Sequence, residues 1–239
     1  MEKYKDFSDR ISYQSAELQI GSGDFIPDCR VYGKVDPDNS FKPFFGDTVV
    51  FDLDKRSKEK VSRLIDELYN AAPECFCERI KTGTIHMTLH DLSASDDLSA
   101  VSAEVFGNEV DLLRVIKENP PEPRLIKMKT NFIINMVSTS LVLALVPADE
   151  AEWNKLQELY DLIDKVRVCP YPFLTPHITL AYFNHNGFDE RSARKLKAAV
   201  YELNKNGFII TLNTNRLYYQ KFTSMNDYPE LFMHILNCI

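Results

Sequence analysis

The sequence predicts an α+β protein of two pseudo-symmetric βαβαβ lobes around a central cleft, preceded by an N-terminal extension. Three observations predict it. The chain of 239 residues is 44% hydrophobic and 26% charged, the balance of a molecule with a buried core. Two stretches follow one plan, strand, helix, proline-broken loop and short strand, and a repeat of that kind governs the reading of everything else. Each short strand carries the same tetrad, His-x-Thr-Leu, at His86–Leu89 and His177–Leu180.

Residues 1–45 precede the repeat as an extension with the turn signals Gly21-Ser-Gly23 and Asp36-Pro-Asp-Asn39. We expect it to pack on a single bilobal domain, 46–239, and by its length to cap the cleft. The first repeat, about 46–136, opens with the β-rich run Thr48–Leu53. Ser57 is a candidate cap for the helix that follows, whose apolar residues Val61, Leu64, Ile65, Leu68 and Ala72 fall on one face. Pro73 breaks it, and a loop leads to a strand at Thr84–Leu89. A helix over 97–118, the loop Asn119-Pro-Pro-Glu-Pro123 and a strand at 125–136 close the unit. The second repeat, about 139–222, opens with the apolar run Ser140–Val146. Asp149, with Glu152 at the capping-box position, starts a helix striped by Trp153, Leu156, Tyr160, Ile163 and Val166. The run Cys169–Pro176 ends it, and the second tetrad, a helix over 189–205 and a strand over 208–222, broken near Asn213–Asn215, complete the plan. The tetrad His lies 36 residues after Val50 in one unit and 34 after Leu143 in the other.

Lys and Arg number 28 against 35 Asp and Glu, a net charge of −7, which argues against a broad grip on long duplex nucleic acid. The five cysteines are odd in number, and Cys75-Phe-Cys77 is too tight for a metal or redox CxxC, so reduced thiols are expected. No apolar run approaches the ~18 residues of a membrane span, nor does the N-terminus read as a signal peptide. These features predict a cytoplasmic monomer without membrane contact.

Side chains alternate along a strand, so His86 and Thr88 share a face, as do His177 and Thr179, with Met87, Leu89, Ile178 and Leu180 turned to the core. Packed about a pseudo-two-fold axis, the two strands would present two imidazoles and two hydroxyls to one cleft. Two imidazoles titrating near neutrality suit phosphodiester hydrolysis, one taking a proton from water and the other giving one to the leaving oxygen. The hydroxyls would bond the non-bridging oxygens. Neither a metal nor another cofactor is expected. His86 and His90, spaced i and i+4 beside Asp91, are the one hint of a metal site, but the helix and Glu of the H-E-x-x-H motif are missing, and His90 reads as a rim residue. By alternation Tyr182 belongs to the core face. Tyr171 and Phe173, in the loop entering the second tetrad, are candidates to stack a base. The basic run Lys55, Arg56, Lys58, Lys60 and Arg63 reads as a solvated helix face.

The paired tetrads in a repeated α+β chain resemble the 2H phosphoesterase superfamily, which includes LigT-like 2′-5′ RNA ligases and 2′,3′-cyclic nucleotide phosphodiesterases. Phe44–Val50 further resembles an uncharacterised bacterial branch of it. The resemblance implies antiparallel sheets around a cleft and metal-independent chemistry at His86, Thr88, His177 and Thr179, on a nucleotide or short RNA terminus bearing a cyclic phosphodiester. It also implies Thr48 near the phosphate, His177 as base and His86 as acid. The alternatives are a nucleotide sensor without catalysis and a metal-dependent hydrolase.

Overall fold

Eight β-branched, aromatic and small residues make β1 (Phe45–Asp52), with Val49, Val50 and Phe51 fully buried. This computed structural model describes residues 2–15, 18, 20–169, 173–229 and 233–235. Asp54 then caps α2 (Lys55–Ala71), its carboxylate accepting from the Ser57 N–H at 3.0 Å and the Ser57 hydroxyl at 2.6 Å. The cap is therefore one turn earlier than Ser57, which lies inside the helix and is itself buried. Val61, Ile65, Leu68 and Ala72 face the core as the stripe predicts.

Both tetrad strands begin at their histidine: β2 is His86–Ser95 and β5 is His177–Tyr182. Thr84, expected in the strand, belongs instead to a 3₁₀ turn, Thr82–Thr84. The other elements are α3 (Leu98–Glu118), β3 (Leu125–Met136), β4 (Ser140–Pro147), α4 (Glu150–Asp164), α5 (Glu190–Leu203), β6 (Ile209–Asn213), β7 (Leu217–Phe222) and β8 (Met233–His234). Asp149 caps α4 through the Glu152 N–H, but the Glu152 carboxylate turns away to accept from the Lys127 N–H at 2.9 Å, so the capping box stays half closed.

Two four-stranded antiparallel sheets result, in the orders β2-β1-β7-β8 and β5-β4-β3-β6. The two lobes are present, but the strands that end the sequence repeats cross between them. β3 ends the first repeat yet pairs with β4 through a tight turn, where Val137 and Ser138 have φ of 45° and 57°. The run over 208–222 breaks at Thr214–Arg216 and sends β6 to one sheet and β7 to the other. A hairpin closes with less loop entropy than a return across the molecule, so β3 stays with its neighbour in sequence. Helices are shared too, α2 packing against β5 and α4 against β2.

The extension is built into this frame. α1 (Tyr4–Ser15) buries Phe7 and Ile11, with the Phe7 ring stacked on Trp153 at 4.2 Å. Asn39 closes the Asp36–Asn39 turn at φ 67°. Among the described residues no helix is long and apolar enough to cross a membrane.

Candidate active site

β2 and β5 are end strands of their sheets, and they lie against each other. His86, Thr88, His177 and Thr179 are each partly exposed, while Met87, Leu89, Ile178 and Leu180 are buried, as alternation requires. The imidazoles are held alike. His86 Nδ1 lies 2.7 Å from the Thr84 carbonyl oxygen, and His177 Nδ1 lies 2.7 Å from that of Thr175. A carbonyl oxygen only accepts, so each Nδ1 carries the proton and donates it, and in the neutral ring each Nε2 keeps a bare lone pair.

Alternation then fails at the same point in both strands. Val49 pairs with His90 and Val50 with Thr88, so Leu89 is an extra, bulged residue. Leu141 pairs with Ala181 and Val142 with Thr179, so Leu180 is its counterpart. Each bulge puts the next residue back on the core side and turns the one after it to the cleft. His90 is therefore interior, 1% exposed, rather than on the rim, with Nε2 3.0 Å from Asp164 and Nδ1 2.7 Å from the Asp91 carbonyl. It faces away from His86, and among the described residues no group of three His, Cys, Asp or Glu side chains is placed to hold a metal ion. Asp91 and Tyr182, each five residues after its histidine, come round to the cleft. Tyr182 thus leaves the core face expected of it: its hydroxyl donates to Met225 Sδ at 3.0 Å.

A second bulge follows at Leu92, and a buried network pins it. Asp47, 1% exposed, accepts from the Ser93 N–H, the Asn108 amide and the Tyr219 hydroxyl at 2.9–3.2 Å. Burial pushes its carboxyl up to about 6, against the pull of these donors. Thr48, 3% exposed, donates its hydroxyl to the His90 carbonyl at 3.0 Å, and so braces the strand behind the cleft.

Burial also pushes His86 down, from 6.5 to about 4; the facing His177 and Lys58 add to the fall, while the Thr84 carbonyl and Asp91 oppose it. Lys58, from the basic run on α2, is not free in solvent: its ammonium pairs with Asp52 at 2.6 Å and donates to the Gly83 carbonyl at 2.7 Å. Tyr228, from the C-terminal segment, sets its ring edge-on to His86 at 5.0 Å, and Asp91 acts on Tyr182, Tyr228 and His86 alike. Phe173 is 49% exposed with the Arg10 guanidinium 5.4 Å from its ring centre; Tyr171 lies outside the described residues. Cys75 and Cys77 are free, buried thiols pushed up to about 12 by burial. A separate depression of about 350 Å³ between the 119–124 loop and α4 contains no tetrad residue.

No protein-family model matches the chain, and no curated protein matches it in sequence. Solved structures do match. The conserved protein of unknown function ATU0111 from Agrobacterium tumefaciens aligns at 13% identity over 88% of this chain and 94% of its own, with a TM-score of 0.67. Escherichia coli LigT complexed with 3′-AMP aligns at 16% identity over 76% of this chain and 91% of its own, with a TM-score of 0.43. The likeness to ATU0111 is one of fold, and it spans nearly the whole of both chains.

Proposed function

We propose that the chain is a metal-independent phosphodiester hydrolase of the 2H type, acting on a 2′,3′-cyclic nucleotide phosphate or a short RNA end carrying one. The observation that supports it most is the matched pair of imidazoles, each with Nδ1–H tied to the carbonyl two residues back and Nε2 free for proton transfer. Both nitrogens act without rearranging a tautomer, a pre-organisation that general acid–base catalysis rewards.

In this reading His86 Nε2 takes a proton from water as the oxygen attacks phosphorus. The bond to the ribose 2′ or 3′ oxygen breaks on the opposite side, and His177 gives that oxygen its proton. The product is an opened monoester. Thr88 and Thr179 hydroxyls donate to the non-bridging oxygens, where the charge of the transition state is held. The roles are the reverse of those implied by resemblance. The reason is burial: two facing imidazoles resist double protonation, and His86, held to about 4, is the one that enters neutral. The test is turnover of 2′,3′-cyclic nucleotides in EDTA with product analysis. We expect His86→Ala and His177→Ala each to lower kcat by about 10²–10⁴. Full activity in either variant would overturn the reading.

A further inference from the structure

The N-terminal extension delivers a cation to the cleft wall. A 3₁₀ turn, Cys29–Val31, capped by the Asp28 carboxylate, leads into a turn in which the Lys34 and Val35 N–H groups donate to the Val31 carbonyl at 2.8 and 2.9 Å. Val31 and Val35 are fully buried with Cys77, against Phe41 and Tyr182, so the turn that carries Lys34 is anchored. The Lys34 ammonium lies 5.1 Å from the ring centre of Phe44 and 5.5 Å from that of Tyr182. From Phe44 a series of rings runs through Phe222 at 6.1 Å and Tyr228 at 5.6 Å to His86 at 5.0 Å. On the other side Tyr182 follows Thr179 on β5, just past the bulge at Leu180. Lys34 therefore lies against the Tyr182 ring, on the strand that carries the second tetrad.

Its ammonium makes no hydrogen bond or ion pair with the described residues. Burial of Lys34 and the charge of nearby Arg30 both oppose its protonation, and Asp91 across the cleft favours it. A partly buried lysine held on two aromatic faces, with no counter-ion in contact among the described residues, is a site waiting for an anion. Its contacts are with Phe44 and Tyr182, so it is set apart from the phosphodiester bonded by the threonines.

We propose that Lys34 forms a second anion subsite, which takes the phosphate on the 5′ oxygen of the nucleotide whose cyclic phosphodiester sits between the histidines. This rests on the phosphodiesterase reading. The 5′ phosphate can belong to a mononucleotide or join the next residue of an RNA end, and both present the same oxygens to the ammonium.

Calorimetry with adenosine 2′-monophosphate and adenosine 2′,5′-bisphosphate tests it without turnover. Wild type should bind the bisphosphate at least tenfold more tightly, Lys34→Met should erase that gain, and Lys34→Arg should keep most of it. Kinetics on adenosine 2′,3′-cyclic phosphate, its 5′-phosphorylated form and the dinucleotide ApA 2′,3′-cyclic phosphate then identify the source. Lys34→Met should raise KM tenfold or more for whichever 5′ phosphate is read, with kcat unchanged and the 5′-hydroxyl substrate within threefold. No gain from the second phosphate in wild type, or a gain that survives in Lys34→Met, overturns the subsite. A gain without any hydrolysis leaves the subsite standing and refutes the phosphodiesterase reading instead.

Discussion

Replacing His86 with Gln removes an imidazole that burial has pushed from 6.5 to about 4. That displacement corresponds to about 3 kcal/mol between the charged and neutral forms of the ring. An unfolded chain takes up this proton as pH falls through about 6.5, whereas the native protein resists it until about 4. The unfolded state therefore binds more protons throughout the window, and wild type loses stability as the solution is acidified. Asp47 works in the opposite sense. Its native carboxyl protonates near 6 against 3.8 in the unfolded chain, so its contribution is complete at low pH and is lost as pH rises through about 6. The two nearly offset each other, so the wild-type curve alone is uninformative. The readout is the difference in unfolding free energy between wild type and His86→Gln, from urea titrations at constant ionic strength. We expect it to fall by about 3 kcal/mol between pH 7 and pH 4. A difference constant to within about 0.5 kcal/mol, the scatter of independent measurements, would show that His86 is not desolvated and would remove the ground for making it the base.

Other expectations follow from the same geometry. The acid limb of kcat/KM on a 2′,3′-cyclic nucleotide should lie near pH 4, because that quantity reports the free protein; a limb two units higher would take the base role away from His86. For Asp47→Asn the advantage of wild type in urea titrations should grow as pH falls from about 6 to about 4, and a flat difference would count against a buried carboxyl. Phe7→Ala should cost about 3–5 kcal/mol and redden the emission of Trp153, the sole tryptophan, by loosening α1 from α4; an unchanged melting temperature and spectrum would refute that anchorage. Gly46→Ala should lower stability by about 1–3 kcal/mol in thermal melts, since a Cβ there meets the Ser93 carbonyl and the Phe222 ring.

Much of the fold was legible because it rests on local periodicity. The stripe Val61, Ile65, Leu68 and the cap Asp149 follow from residue spacing alone, whereas the cap of α2, read at Ser57, lies one turn earlier at Asp54. The shared face of His86 with Thr88, and of His177 with Thr179, needed only the two-residue period of a strand. That rule failed two residues later. Bulges at Leu89 and Leu180 arise from pairing with β1 and β4, which no count along β2 or β5 can register, and so His90 went to the core while Asp91 and Tyr182 came to the cleft. Long-range pairing also divided 208–222 between two sheets.

By itself the sequence determined the repeat, the elements within it up to β5 and α5, and the identity of the four tetrad residues, because these are properties of spacing within a few residues of the chain; the helix Tyr4–Ser15 and the strand Met233–His234 were not read from it. Only the tertiary structure decided what surrounds them. Lys58 comes from α2 and Tyr228 from the C-terminal segment, and burial with the charges of His177 and Lys58 displaces the titration of His86. Desolvation and charge act through space, so they depend on which distant segments the fold brings to the two histidines.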